Sequence, residues 1–222
     1  MDSDYIKKLA YSLGAEVCGI GSLDRFEAAP KGFHPLDIYP EAKSVISIGI
    51  HFSATLFEAN TKAPYTLVKF KIDELLDNIS IKLANTMEEQ GYKAIPIPTD
   101  EPYEYWDEEN NHGRGILSLK HAAEACGLGR IGKNTLLINE KYGNRLYLGA
   151  VLTNIELTSD ALADNLCYDK CDICLKACPE AALDGITIDQ KKCRQSCGSS
   201  TPGGGFIYSC FTCRKMCPFS KT

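Results

Sequence analysis

The hydrophobic positions along the first 153 residues follow two alternating patterns. Apolar residues spaced three and four apart predict amphipathic helices, whereas short runs rich in β-branched residues predict buried strands. The two patterns alternate along the chain without an internal repeat. This arrangement indicates an α+β domain with a central sheet that is covered on at least one face.

Three segments have the helical pattern: Tyr5 to Leu13, Tyr65 to Gln90 and Ile116 to Cys126. Gly14 and Gly91 follow the first two, as glycine commonly does at the C-terminus of a helix. The apolar face of the long second helix is predicted to comprise Leu67, Phe70, Leu75, Leu76, Ile79, Leu83 and Met87.

Five segments have the strand pattern: Val17 to Ile20, Lys43 to Phe52, Tyr92 to Pro98, Thr135 to Ile138 and Leu146 to Thr153. The second is a nearly unbroken apolar run, as expected of a strand buried in a sheet. The prolines of the third predict an edge strand or a strand end.

Composition sets further bounds. The chain has 222 residues and a formal net charge of -5, which suits one ordinary domain plus a small appendage. It has no apolar run near the ~18 residues of a membrane span, and its acidic start, Met1 to Asp4, resembles neither a signal nor a transit peptide. We expect a cytoplasmic protein that does not enter membranes. Nucleic acid is an unlikely partner, because no cluster of Lys and Arg is available for phosphate binding.

Cysteine spacing carries the most specific chemical signal. Nine of the eleven cysteines lie between Cys167 and Cys217. They form two runs, each ending in a C-x2-C-x3-C-P pattern at Pro179 and Pro218. Bacterial two-cluster ferredoxins use such runs, in which the last cysteine of one run ligates the cluster of the other. The spacing therefore predicts two [4Fe-4S] clusters.

The crossing rule assigns the ligands. One cluster takes Cys167, Cys171, Cys174 and, from the far run, Cys217. The other takes Cys210, Cys213, Cys178 from the near run, and either Cys193 or Cys197. We favour Cys193, because it follows the strand-like segment 185–189, which leaves Cys197 as a spare thiol.

Zinc and disulfides are the alternatives. Structural zinc uses C-x2-C pairs but has no need for the repeated x3-C-P ending. Disulfide frameworks are typical of short secreted domains, whereas this chain is long and shows no secretory signal.

A glycine-rich turn follows the third predicted helix. Gly127, Gly129 and Gly132 match G-x-G-x-x-G, followed by Lys133 and Asn134. The dinucleotide fingerprint follows a strand and opens a helix, and this turn does the reverse. The sequence instead favours a tight turn near a ligand or another chain segment, with Lys133 and Asn134 as polar contacts.

From this turn onward the sequence resembles a known family. The segment "GLGRIGKNTLLINEKYGNRLYLGAVLTN" is similar to the shared core of epoxyqueuosine reductases and reductive dehalogenases, upstream of their two-cluster ferredoxin module. The similarity extends to "GAEVCGIGSLDRF" and "YPEAKSVISIGI" near the N-terminus, and "GYKAIP" is closer to the dehalogenases. Gly113 stands near the position where epoxyqueuosine reductases carry a catalytic aspartate. We expect a short member without the C-terminal tRNA-binding repeats.

The resemblance implies a nitroreductase-like domain over residues 1–157 that binds cobalamin, and a ferredoxin-like domain over 158–222 with two [4Fe-4S] clusters. The turn residues Gly127, Gly129, Gly132, Lys133 and Asn134 would then border the corrinoid. Electrons would come from a low-potential donor such as ferredoxin or flavodoxin and pass to a small molecule or protein. The alternative is an electron carrier without corrinoid, or with a flavin.

A reductase of this kind needs a proton donor beside its metal. The polar and aromatic segment from Thr99 to Gly115 offers Tyr103, Tyr105 and His112. Long loops of this kind often act as lids or sites. Tyrosine can donate a proton while it remains neutral at pH 7.

Overall fold

The computed structural model describes residues 1–220, so the last two residues of the predicted segment 158–222 lie outside it. Its helices are α1 (Ser3–Ser12), α2 (Pro35–Ile38), α3 (Ala63–Glu89), α4 (Leu119–Ala125), α5 (Ile173–Ala177), α6 (Gln190–Cys197) and α7 (Thr212–Lys215). Its strands are β1 (Val17–Ser22), β2 (Ser44–His51), β3 (Ala94–Ile97), β4 (Tyr105–Asp107), β5 (His112–Arg114), β6 (Arg130–Ile131), β7 (Leu137–Ile138), β8 (Leu146–Thr153), β9 (Gly198–Ser200) and β10 (Phe206–Tyr208).

The main sheet has four strands in the order β1-β2-β8-β3, and every neighbouring pair is antiparallel. The two apolar β-branched runs form its centre, where β2 pairs with β8 from Ser44↔Thr153 to His51↔Leu146. Strand β3, which contains Pro96, pairs with β8 alone. Its edge position agrees with the prediction from its prolines, because proline cannot donate to a second ladder.

Alternate side chains of the central strands enter two different cores. Ile46 and Ile48 pack with α1 and α3 on one face. Val45 and Leu152 pack with α4 on the other face. The sheet is therefore covered on both faces, and the α+β class predicted from the sequence is observed.

The predicted apolar face of the long helix is wrong over its N-terminal half. Leu67, Phe70 and Leu75 are 60%, 45% and 51% exposed, whereas Leu76 is fully buried. The inward positions there include Lys69 and Asp73, which are only 9% and 8% exposed, beside the buried Tyr65 and Ile72. This half of the helix packs on the sheet core through Ile72, whereas Lys69 and Asp73 face the cavity.

Two other local expectations are adjusted. The segment predicted as a long loop, Thr99 to Gly115, contains the β4–β5 hairpin. The segment predicted as a strand from Thr135 to Ile138 forms only the two-residue strand β7, which pairs with β6. Thr135 has a positive φ of 60°, so the chain turns there before it can extend.

Up to residue 220, the cysteine-rich part of the chain contains three short α-helices, a 3₁₀ turn at Pro218–Ser220 and one small hairpin. The β9–β10 hairpin packs against α3, where the Tyr208 backbone N–H donates to Thr66 Oγ1 at 3.0 Å. Within residues 1–220, no helix is both long enough and apolar enough to cross a membrane.

Candidate functional site

Four cysteines from both runs surround one pocket. Cys167, Cys171 and Cys174 come from the near run and Cys217 from the far run, and all four line one small pocket. Among residues 1–220, no group of three or more His, Cys, Asp or Glu side chains could hold a single metal ion. Four thiols around one pocket are the donor set that a [4Fe-4S] cluster requires. The residues therefore fit such a cluster.

Five of the remaining seven cysteines form a second group around the far run. Cys193 interacts with Cys197, Cys210 and Cys213, and Cys213 also interacts with Cys178. Burial raises the pKa of Cys213 to about 11. This second group contains five thiols, one more than a cluster uses.

The other two cysteines lie far from both groups, in the core of the sheet domain. Cys18 is 6% exposed and Cys126 is fully buried. Burial raises the pKa of Cys18 to about 12. Cys126 donates from Sγ to the Val45 carbonyl oxygen at 3.3 Å. Both behave as small apolar residues.

A larger cavity, of about 350 Å³, lies in the sheet domain, and Arg214 of the cysteine-rich segment contributes to its lining. Leucines of α4, β7 and β8 form part of its wall. Its charged and aromatic lining residues are Lys69, Asp73, Asp100, Tyr103, Lys120, Tyr147 and Arg214. An apolar cavity with a few convergent polar groups is the usual form of a ligand site.

One wall of the cavity is a chain of ionic and hydrogen-bonding contacts. Lys69 Nζ lies 2.6 Å from Asp73 Oδ2 and also contacts Asp100 Oδ2. The Tyr103 hydroxyl donates to Asp100 Oδ1 at 2.7 Å. Burial, together with the Asp100 carboxylate, raises the pKa of Tyr103 to about 12. Burial alone would lower the pKa of Lys69, but its hydrogen bonds with the two carboxylates outweigh burial and raise it.

Arg214 connects the cavity with the cysteines. It belongs to α7, directly after Cys213, and is only 8% exposed. Its guanidinium lies 5.0 Å from the ring centroid of Tyr147, and one of its amino groups donates to the Asn144 carbonyl oxygen at 2.8 Å. Among the described residues, no ion pair with a carboxylate includes Arg214. A buried cation of this kind favours negative charge nearby.

The structure places the three candidate proton donors differently. Tyr103 lines the cavity. Tyr105 and His112 belong to the β4–β5 hairpin, where Tyr105 is 43% exposed and packs on Phe33 with ring centroids 4.9 Å apart. Among residues 1–220, the cavity lining includes neither Tyr105 nor His112.

The glycine-rich turn lies against protein rather than against the cavity. Gly127 has a φ of +77°, and a side chain there would overlap the Ala161 carbonyl oxygen. Side chains at Gly129 and Gly132 would overlap atoms of Ile138.

The two polar residues after the glycines, Lys133 and Asn134, line the first cysteine pocket. Lys133 Nζ donates to the Cys171 carbonyl oxygen at 3.0 Å. The turn thus braces the cysteine-rich segment, and the residues after it, Leu136 and Leu137, reach the cavity.

Sequence reasoning missed Lys69, Asp73, Asp100 and Arg214 as parts of the cavity. The i,i+4 spacing of Lys69 and Asp73 was visible, but such pairs are usually solvent-exposed. Arg214 stands between two cysteines of one run, which was the available signal that it lies near them.

The chain is similar in sequence to curated epoxyqueuosine reductases. No family model matches. A curated epoxyqueuosine reductase from Listeria monocytogenes is 37% identical over 117 residues, which cover 48% of this chain and 31% of that protein. The epoxyqueuosine reductase of Synechocystis sp. is 27% identical over 209 residues, which cover 87% of this chain and 68% of that protein. The chain thus spans between about one third and two thirds of these relatives.

Solved structures extend the likeness to the fold. An epoxyqueuosine reductase solved with a tRNA stem loop matches 98% of this chain and 65% of its own, with a TM-score of 0.69 at 22% identity. A reductive dehalogenase, whose structure suggested a B12-dependent mechanism, matches 98% of this chain and 31% of its own, with a TM-score of 0.70 at 22% identity. The predicted resemblance is confirmed: the chain is a relative of the epoxyqueuosine reductases in sequence, and it shares its fold with them and with reductive dehalogenases.

Proposed function

We propose that this protein is an iron–sulfur reductase that passes electrons through two [4Fe-4S] clusters to a corrinoid in the cavity. One cluster is held by Cys167, Cys171, Cys174 and Cys217. The other is held by Cys178, Cys210, Cys213 and a cysteine of α6. In this proposal residues 1–157 form the corrinoid-binding domain, and residues 158–222 form the ferredoxin-like domain.

The observation that carries the proposal is the position of α7. This four-residue helix contains Cys213 and Arg214, and Cys217 follows it two residues after its end. Arg214 lines the cavity, whereas Cys217 lines the first cysteine pocket. Five consecutive residues, from Cys213 to Cys217, therefore connect the cavity with both cysteine groups. This proximity suits electron transfer between them.

The cavity accommodates a corrinoid only in part. Its volume of about 350 Å³ lies near the lower end of the ~300–1,000 Å³ range of small-molecule sites. A corrinoid macrocycle is larger than this cavity and would extend into its open mouth. When bound, the clusters supply single electrons and the corrinoid supplies the metal that delivers them to the substrate. A flavin, which is smaller, is the alternative occupant, and a chain with neither would be an electron carrier.

Tyr103 is the residue best placed to supply a proton. Its raised pKa keeps the hydroxyl protonated throughout the neutral range. The Asp100 carboxylate accepts its hydrogen bond and is itself in contact with Lys69. We propose that Asp100 holds the Tyr103 hydroxyl in position and that Lys69 limits the charge left behind when the proton departs. Tyr105 and His112, also predicted as proton donors, are not among the described residues that line the cavity.

The substrate and partners are further proposals. A neighbour in fold was solved with a tRNA stem loop, which is in tension with the expectation that nucleic acid is an unlikely partner. An RNA stem loop is therefore a candidate substrate beside small molecules and proteins. The predicted electron donor is a low-potential protein such as ferredoxin or flavodoxin.

Anaerobic purification with iron and cobalt analysis tests the proposal, with cob(II)alamin and FMN titrated separately. About eight irons per chain and a saturable spectral shift with cob(II)alamin are expected. Tyr103→Phe should bind cob(II)alamin equally well, because Tyr103 is proposed to supply a proton and not to hold the macrocycle. Eight irons with a response to FMN alone would favour a flavin protein, and eight irons with neither response would indicate an electron carrier. Far fewer than eight irons would refute the cluster assignment.

A further inference from the structure

The second cysteine group contains a fifth thiol whose position is built into the fold. Cys193 and Cys197 are four residues apart on α6. Side chains at i and i+4 lie on the same face of a helix, one turn apart along its axis. Their two thiols lie close enough to interact electrostatically. One short helix therefore presents two thiols to the same place.

The β9–β10 hairpin fixes Cys197 beside another cysteine. Its strands pair from Gly198↔Tyr208 outward, so the next pair toward the base is Cys197 and Ser209. The Ser209 backbone N–H donates to the Cys197 carbonyl oxygen at 2.9 Å, and the Cys210 N–H reaches the same oxygen at 3.5 Å. The Cys210 backbone thus lies beside Cys197, one residue past the cross-strand partner Ser209.

A second bond locks this junction. The Ser209 hydroxyl donates to the Ser196 carbonyl oxygen at 2.7 Å. The end of α6 is therefore tied to the segment that carries Cys210 by backbone and side-chain contacts. Cys197 is held in register with that segment, and Cys193 lies one helical turn away, close to Cys210 and Cys213.

We propose that the second cluster site has a reserve ligand: either Cys193 or Cys197 can supply its fourth thiolate, alongside Cys178, Cys210 and Cys213. The inference rests on the proposed clusters. Exchange of one thiolate for the other replaces one Fe–S bond by another and moves one proton from the incoming thiol to the outgoing thiolate. The exchange therefore needs no oxidant or reductant.

Alanine variants test the proposal, because serine could itself ligate iron through its oxygen. Cys193→Ala, Cys197→Ala and the double variant are purified and reconstituted anaerobically, and iron content and electron paramagnetic resonance of the reduced clusters are measured. The matched control is Cys126→Ala, which removes a thiol buried in the core of the sheet domain, outside both groups. The four irons of the first cluster report on folding in every variant.

Each single variant should keep about eight irons and both cluster signals, and Cys193→Ala should show a shifted signal from the second cluster. The double variant should lose about half of its iron while the first cluster persists. Loss of half the iron in either single variant alone would overturn the proposal, since one cysteine would then be indispensable. Full iron in the double variant would overturn it as well. Far fewer than eight irons in the unsubstituted protein would instead refute the clusters themselves.

Discussion

Gly127→Ala separates two interpretations of the glycine-rich turn. The structure sets the turn against the backbone at Ala161, so the substitution should destabilise the protein even without a ligand. Two costs add together. The φ of +77° costs a non-glycine residue about 1 kcal/mol, and the overlap with the Ala161 carbonyl oxygen adds about 2 kcal/mol, as expected for overpacking.

Gly91→Ala is the matched control. Its φ is +82°, and a side chain there meets nothing within 4 Å, so it carries only the cost of the backbone conformation. The difference between the two variants should be about 2 kcal/mol, or about 6 °C in thermal midpoint for a chain of this size. Thermal unfolding is followed by circular dichroism under anoxia in corrinoid-free protein. Equal midpoints, combined with loss of corrinoid binding in Gly127→Ala only, would refute the packing interpretation and return the turn to the ligand.

Three further results are expected. Lys69→Met leaves two carboxylates without their shared cation and should lower the free energy of unfolding by about 3 kcal/mol. The control Lys71→Met breaks an ion pair whose side chains are 64% and 60% exposed and should change it by less than about 0.5 kcal/mol. Equal thermal midpoints of the two variants would contradict this expectation. Asp100→Asn should lower the pKa of Tyr103 from about 12 toward its ordinary value, measured by absorbance titration against a Tyr103→Phe blank. Because the folded state raises this pKa, the stability it contributes is present below about pH 10 and is lost as the pH rises through about 12; an unchanged titration would exclude the contact. Cys174→Ala should reduce iron by about four per chain, and a full complement would remove Cys174 from the ligand set.

The two central strands of the sheet were predictable because their signal is local. Strand β8 has the predicted bounds, Leu146–Thr153, and β2 differs from its prediction by one residue at each end. An apolar β-branched run has few alternatives to a buried strand. The grouping of Cys217 with the near run was expected from the crossing rule of two-cluster ferredoxin runs, and the structure places these four cysteines around one pocket.

The cavity was not predictable, because its charged residues are buried by partners far away in the chain. Lys69 is buried by Asp100, which is distant in sequence, and by Tyr208 of the β9–β10 hairpin, whose ring lies 5.0 Å from its Nζ. Helical periodicity assigned Leu67 and Phe70 to the interior because they are apolar. In the structure Leu67 and Phe70 are exposed and Lys69 is buried, because the hairpin and the cavity lie beside Lys69. Neither feature leaves a periodic signal in the sequence of the helix.

The charges around the cavity differ in how they are compensated. Lys69 is paired with two carboxylates, so it adds little net attraction for an anion. Arg214 has aromatic rings and a carbonyl oxygen as its neighbours, and within the described residues no carboxylate forms an ion pair with it. In the proposed reductase, negative charge that accumulates near α7 would be stabilised by Arg214, and the accompanying proton would come from Tyr103, which lines the same cavity.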